Sequence, residues 1–216
     1  MLATFALLGT LLTAPVQDKD KVNFAHNFTK GQTVAYELNF KGKTDGGDME
    51  VNAAFTISFG DKVVKGTDVT VSPKSMKMTR DGQDAGGGGT GDVKFVLDEH
   101  GMPDSVSMEG DSGMLVIPLV LSYLPNKELA VGDTFDINYD KNSTSFKGTG
   151  KYEGMEKVND KSLPKISVKA KLNPGGGGEG DLDYVFFFDK DSGHIALLKG
   201  KAAVDNQEFN FVLTKK

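Results

Sequence analysis

The amino-acid sequence predicts an all-β protein: two tandem antiparallel β repeats forming a curved sheet or barrel-like core, with one short helix between them. Three observations lead there. Apolar side chains recur at every second position through most of the chain, the period of a half-buried strand. Gly- and Asp-rich turn signals separate these runs. A glycine-rich landmark also occurs twice, as GGGGTGDV from Gly86 and GGGGEGDL from Gly175.

Residues 1–16, MLATFALLGTLLTAPV, carry no charged side chain and read as a secretory signal segment. Their apolar stretch, residues 2–12, is shorter than the ~20 residues that span a bilayer. The abrupt change to Gln-Asp-Lys-Asp-Lys after Val16 favours export. Beyond residue 20, Val34, Tyr36, Leu38 and Phe40 alternate with Ala35, Glu37 and Asn39, and Val51, Ala53, Phe55, Ile57 and Phe59 continue the period. Similar runs cover residues 135–139, 166–172, 182–188 and 209–213. Gly60-Asp61, Asn159-Asp160 and Asp191-Ser192-Gly193 punctuate them, and short strands at this spacing argue for antiparallel meanders.

One segment departs from the pattern. Residues 113–124 read GMLVIPLVLSYL, with Pro118 inside and Pro125 just after. Proline is tolerated in the first turn of a helix, so a short helix is expected over residues 118–123. This apolar joint, residues 113–125, separates β repeat one (23–112) from β repeat two (126–216). The copies share ordered landmarks. Each glycine run is followed by an aromatic strand, an Asp and a Gly: Asp98 and Gly101, then Asp189 and Gly193. Upstream, Lys30-Gly31-Gln32-Thr33 has its counterpart in Val131-Gly132-Asp133-Thr134. The offset there is 101 residues against 89 at the glycine runs, so an insertion or deletion lies between the two landmarks. Each copy alone is small for an independent domain, which favours a shared core.

Bulk chemistry removes several functions. The formal charge is −5 and Arg80 is the only arginine, so a phosphate-tracking face is absent and nucleic acid is not an expected partner. With no cysteine there are no disulfides, thiolate nucleophiles or zinc ribbons.

Local motifs fall to plainer readings. Gly110-Asp111-Ser112-Gly113 is similar to the nucleophile loop of trypsin-like proteases, but Met114 stands where that motif has a second glycine, and neither His26 nor His100 is placed by the sequence as its base. Asp189-Lys190-Asp191-Ser192-Gly193-His194 begins like a calcium loop, yet the sixth position is His194 and the twelfth Gly200. A hairpin loop explains the same residues. The glycine runs and Gly148-Thr149-Gly150-Lys151 lack the Lys-Ser or Lys-Thr of a phosphate loop. His26, His100 and His194 show no metal-ligand spacing and read as solvated turn residues. Asn27-Phe28-Thr29 and Asn142-Ser143-Thr144 are glycosylation sequons only in a host that glycosylates there. No catalytic residue, cofactor-binding residue or metal ligand is assigned. Residues 114–124 alone lean toward a function, either as core or as a lid over an apolar cavity.

Three stretches carry a family resemblance: Gly31, Thr33 and Tyr36; Leu124, Pro125, Gly132 and Asp133; and Gly180, Phe188, Asp189 and Gly193. Together the chain resembles uncharacterised bacterial secreted proteins grouped as a domain of unknown function. The resemblance implies export and a β-rich fold, and supplies no catalytic residues. A looser analogy is to the curved half-barrels of periplasmic lipoprotein carriers. The expectation is therefore a non-enzymatic protein, periplasmic or extracellular, without a transmembrane helix in its mature chain. It would bind an apolar ligand or an envelope protein. An interaction module with no small-molecule ligand is the alternative, and a hydrolase a distant third.

Overall fold

The computed structural model describes residues 21–86, 91–104, 116–141, 144–173, 179–204 and 207–216. The leader at 1–16, the Gly110–Gly113 motif with Ser112, most of both glycine runs and the Asn142 sequon lie outside the described residues. Among those described, the period-two runs become thirteen strands. They are β1 (Val22–Phe24), β2 (Thr33–Thr44), β3 (Gly47–Val63), β4 (Gly66–Arg80), β5 (Gln83–Gly86) and β6 (Val93–Leu97). After a helical turn α1 over residues 116–120 come β7 (Lys127–Leu129), β8 (Thr134–Lys141), β9 (Thr144–Val158) and β10 (Lys161–Asn173). The chain ends in β11 (Gly180–Asp189), β12 (His194–Val204) and β13 (Gln207–Lys215).

Eleven strands form one antiparallel sheet in the order β5-β4-β3-β2-β13-β12-β11-β10-β9-β8, with β6 beside β4. Strands β1 and β7 make a separate pair. Nearly every sheet neighbour is a neighbour in sequence, as meanders require. The exceptions are β6, which pairs with β4, and β13, which lies between β12 and β2 and pairs Phe211 with Phe40. That pairing joins the first and second halves of the chain into one continuous sheet. The sheet is curved and open: β5 and β8 end the order without meeting. The barrel form of the expectation therefore does not occur. Phe24 of β1, with Val120 and Leu124 in and after α1, belongs to the same buried cluster as the inner face of the sheet. These segments supply burial that closure would otherwise have to provide.

Alternation decides which side chains reach this core. Val34, Tyr36 and Leu38 of β2 are buried, as are Phe55, Ile57 and Phe59 of β3, while most intervening residues are not. Burying each such side chain contributes roughly 1.5–3 kcal/mol. Two interruptions have local causes. Pro73 and Pro164, which cannot donate to a strand ladder, both lie next to register shifts, at Ala54/Phe55 and Lys165/Ile166. Phe186, Phe187 and Phe188 are all buried in succession. Phe186 and Phe188 join the main cluster, whereas Phe187 lies outside it with the Lys199 ammonium 5.8 Å from its ring centroid.

Among the described residues the helix covers 116–120, where the sequence suggests 118–123, so it includes Val116 and Ile117 ahead of Pro118 and ends at Val120. The N–H of Leu121 donates to the Ile117 carbonyl at 3.0 Å, and that of Ser122 to Leu119 at 2.9 Å. The Ser122 hydroxyl donates to the Pro118 carbonyl at 2.7 Å, and the turn ends there.

Candidate apolar cavity and the buried histidines

Where α1 crosses the inner face of the sheet, the two surfaces do not meet fully. A cavity of about 220 Å³ remains. Among the described residues its walls are Leu38 and Phe40 of β2, Leu172 of β10, Gly180 and Leu182 of β11, Leu198, Ala202 and Val204 of β12, and Phe209, Phe211 and Leu213 of β13. Ile117, Pro118 and Leu121 cover it from α1 and the residue after it. Every one of these is apolar or glycine. A water molecule needs two to four polar partners to be held, and this lining offers none from its side chains. The same lining carries no group that could transfer a proton or attack a substrate.

One end of the cavity is deep and the other shallow. Leu198, Phe211 and Leu213 are buried, whereas Phe40, Ala202, Val204 and Phe209 are only partly so. The shallow rim depends on a glycine. Phe209 pairs across the ladder with Gly42, and a Cβ on Gly42 would collide with the Phe209 ring. Without that Cβ, Phe209 lies flat over β2 and stacks on Phe40 with ring centroids 4.9 Å apart. The joint's two readings, core and lid, thus share one short segment. Val116, Val120 and Leu124 are fully buried in the core, while Ile117, Pro118 and Leu121 border the empty space.

The histidines depart from the solvated-turn expectation. His194 is buried, and His26 is partly buried, with its Nδ1 shielded and unpaired. The Nε2 of His26 donates to the Ser122 carbonyl at 3.1 Å. His26 stacks on Phe28 at 4.8 Å, Phe28 on Phe59 at 4.9 Å, and Phe59 on His194 at 5.2 Å. Burial pushes the His26 ring down to about 4, helped by His194; burial does the same to His194, helped by Lys215 and opposed by Asp189. His194 Nε2 is also shielded and without a partner. His100 is only partly buried; its Nδ1 donates to the Leu124 carbonyl at 2.8 Å, and it stacks on Tyr123 at 5.0 Å. The burial of His26 had a signal in the sequence. Val22, Phe24, His26 and Phe28 share one parity, so His26 falls on the inward side of its segment.

The loop at Asp189 is a turn held by its own acid. Its carboxylate accepts the Asp191 N–H at 3.1 Å and lies 3.7 Å from the Lys161 ammonium and 3.6 Å from that of Lys215. Partial burial pushes its pKa up, but the bonds from Ser192 and the Lys215 charge outweigh that and hold it below the usual range. Among the described residues no group of three or more His, Cys, Asp or Glu is placed to hold a metal ion. No helix among them is long and apolar enough to cross a membrane.

Tyr184 was not singled out by its sequence context. Its hydroxyl is fully buried and has no hydrogen-bond partner. It shares the inward face of β11 with Leu182 and Phe186, and burial holds its pKa well above the ordinary tyrosine value.

No family model matches this chain, and no curated protein matches it in sequence. Solved structures with a similar course include an exported protein with a YmcC-like fold from Bacteroides fragilis, at 10% identity and a TM-score of 0.40, covering 90% of this chain and 100% of that one. The lipoprotein YmcC of Escherichia coli shares 13% identity with a TM-score of 0.29, over 86% of this chain and 88% of its own. DynF from the dynemicin biosynthesis pathway of Micromonospora chersina shares 8%, with a TM-score of 0.26, over 98% and 92%. At such values the description of the fold rests on the strand pairing itself.

Proposed function

We propose that this chain is an exported, non-enzymatic protein that binds a small apolar ligand in the cavity beneath α1. The observation that carries the reading is the apolar wall that the described residues put around about 220 Å³ of space. An engineered cavity of ~150 Å³ lined by similar side chains stays dry and takes up benzene, while drug-sized ligands occupy roughly 300–1,000 Å³. The volume therefore suits a small hydrocarbon body or one end of a longer chain. Export rests on the uncharged apolar leader at residues 1–16, and the envelope or the exterior of a bacterium is the setting proposed.

The proposal includes an internal duplication. Its support is a repeated set of backbone bonds at the start of β2 and of β8. Gly31 N–H donates to Phe59 O, Gln32 N–H to Thr29 O, and Phe59 N–H to Gln32 O. Gly132 to Tyr152, Asp133 to Ala130, and Tyr152 to Asp133 reproduce the same three. Thr33 pairs with Ser58 and Thr134 with Lys151, so the second hairpin is eight residues shorter. That difference accounts for most of the change in offset between the landmarks.

A protein partner is the second reading, favoured by Val64, which is fully exposed at the β3–β4 turn beside the exposed Val63. The discriminating experiment is native mass spectrometry of the protein purified from its own host without detergent, followed by titration with the uncharged fluorophore N-phenyl-1-naphthylamine. A co-purifying small molecule, or saturable one-to-one uptake of the fluorophore, is expected. Absence of both would refute the ligand reading.

A further inference from the structure

We propose that His26 and His194 form an acid-sensitive clasp that holds α1 over the apolar cavity at neutral pH and releases it on protonation. The proposal rests on reading that cavity as a ligand site and adds how access to it is controlled.

The clasp is built from a strap and two loops. The strap is the segment around β1, which pairs with β7 over only three residues and continues through His26 and Phe28. Its hold on α1 is the bond from His26 Nε2 to the Ser122 carbonyl, two residues beyond the helical turn. The loops after β6 and β11 close on it at matching glycines. Gly101 and Gly193 both have positive φ, 81° and 71°, where a side chain is strained. A Cβ on Gly101 would collide with the His26 ring, and one on Gly193 with Asn27. The strap therefore lies directly against both loops with no room between.

The clasp and the cavity meet across the same helical turn. A second void of about 30 Å³ is bordered by His26, Phe28, Phe59 and His194, and it shares Pro118 and Leu213 with the larger cavity. It is large enough for about one water molecule. Two imidazole nitrogens, His26 Nδ1 and His194 Nε2, are shielded from solvent with nothing to bond. A proton added to His26 would gain only the nearby carbonyls of Ser122, His100 and Gly193, which do not offset the burial of the charge.

The surrounding charges do not compensate. His26 faces His194 and the carbonyls of Ser122, His100 and Gly193, and no carboxylate among the described residues acts on it. His194 faces Lys215 and Asp189. Asp189 is already flanked by Lys161 and Lys215, and its field also reaches Tyr36, whose hydroxyl donates to the Ile195 carbonyl. Each ring is held down to about 4 by burial first. Protonating both would set two like charges against each other, with Lys215 beside His194 and Asp189 acting on His194 alone, and hydration of the rings then requires the strap and α1 to part.

The test is fluorophore affinity from pH 7 to pH 3.5, on wild type and on His26→Gln/His194→Gln, with far-UV circular dichroism to exclude global unfolding. The NMR titration of both imidazoles and of the amides of residues 116–122 runs alongside. Expected is at least a tenfold loss of affinity in the wild type centred near pH 4, retained binding in the double variant, and α1 amide shifts that titrate with the imidazoles. Equal loss in both proteins, or imidazoles titrating near 6.5 as hydrated rings do, overturns the clasp. If the fluorophore does not bind at pH 7, the ligand reading fails by itself. The amide shifts then decide the clasp independently, and α1 amides that ignore the imidazole titration refute it.

Discussion

Filling the cavity from its wall separates empty space from packed core. Ala202 is the perturbation of choice, because it borders the cavity from β12 between its cross-strand partners Leu182 and Phe209. Ala202→Leu adds three carbon groups, and at ~0.8 kcal/mol per buried CH₂ the upper limit is about 2.4 kcal/mol. Ala202 is only partly buried, near the shallow end, so about 1 kcal/mol is the expected stabilisation. For a chain of this length that corresponds to a rise of roughly 2–4 °C in Tm. The assay is urea unfolding followed by far-UV circular dichroism, since the protein has no tryptophan. The midpoint should rise with an unchanged slope, which marks a change in stability and not in the denatured state. Fluorophore affinity should fall at least tenfold in the same variant. The opposite sign is as informative. Overpacking a filled core costs about 1–3 kcal/mol, and a loss of that size would refute the reasoning by showing that no space exists beneath α1.

Two further outcomes follow from buried polar atoms. Tyr184→Phe removes a hydroxyl that has no partner, so it should leave stability unchanged or raise it by about 1 kcal/mol in urea unfolding; a loss above ~1 kcal/mol would show that the hydroxyl is bonded. The lowered histidine pKa values make stability fall with acidity. Between the unfolded value of 6.5 and the folded value of about 4 the unfolded chain holds the proton and the native chain does not, so each ring withdraws up to about 3 kcal/mol over that window and no more below it. His194→Phe should remove about half of this slope in unfolding curves taken from pH 7 to pH 4.5.

Strand identity and turn positions were legible because alternation is local. Side chains two apart share a face whatever the rest of the chain does, so Val34, Tyr36 and Leu38 could be assigned to one face directly. The limits appear where neighbours decide. Phe187 carries the apolar signature of Phe186 and Phe188 but takes the opposite face, which the flanking register shift and Lys199 make tolerable. The helix includes Val116 and Ile117 ahead of Pro118 because proline disfavours helix in the residue before it without forbidding it. His194 reads as a turn residue from Asp191-Ser192-Gly193. It is buried because the turn ends at Gly193 and β12 begins at once, with His194 paired to Asp189.

The cavity was illegible for a deeper reason. Leu38 and Phe40 come from the first half of the chain, while Leu172, Leu182, Leu198, Phe211 and Leu213 come from the second. What brings them together is the pairing of β13 with β2, a contact between strands more than 160 residues apart that no turn signal announces. Hairpin pairings are set by their own turns, whereas this seam is chosen by how well two finished faces fit. Under the duplication proposed above, each half brings a face shaped by its own strands. The join between them is then where complementarity is least constrained, and a void there can persist without disturbing either half. That the space lies at the seam, covered by the segment that on this proposal joins the two copies, makes a binding role more economical than a packing defect.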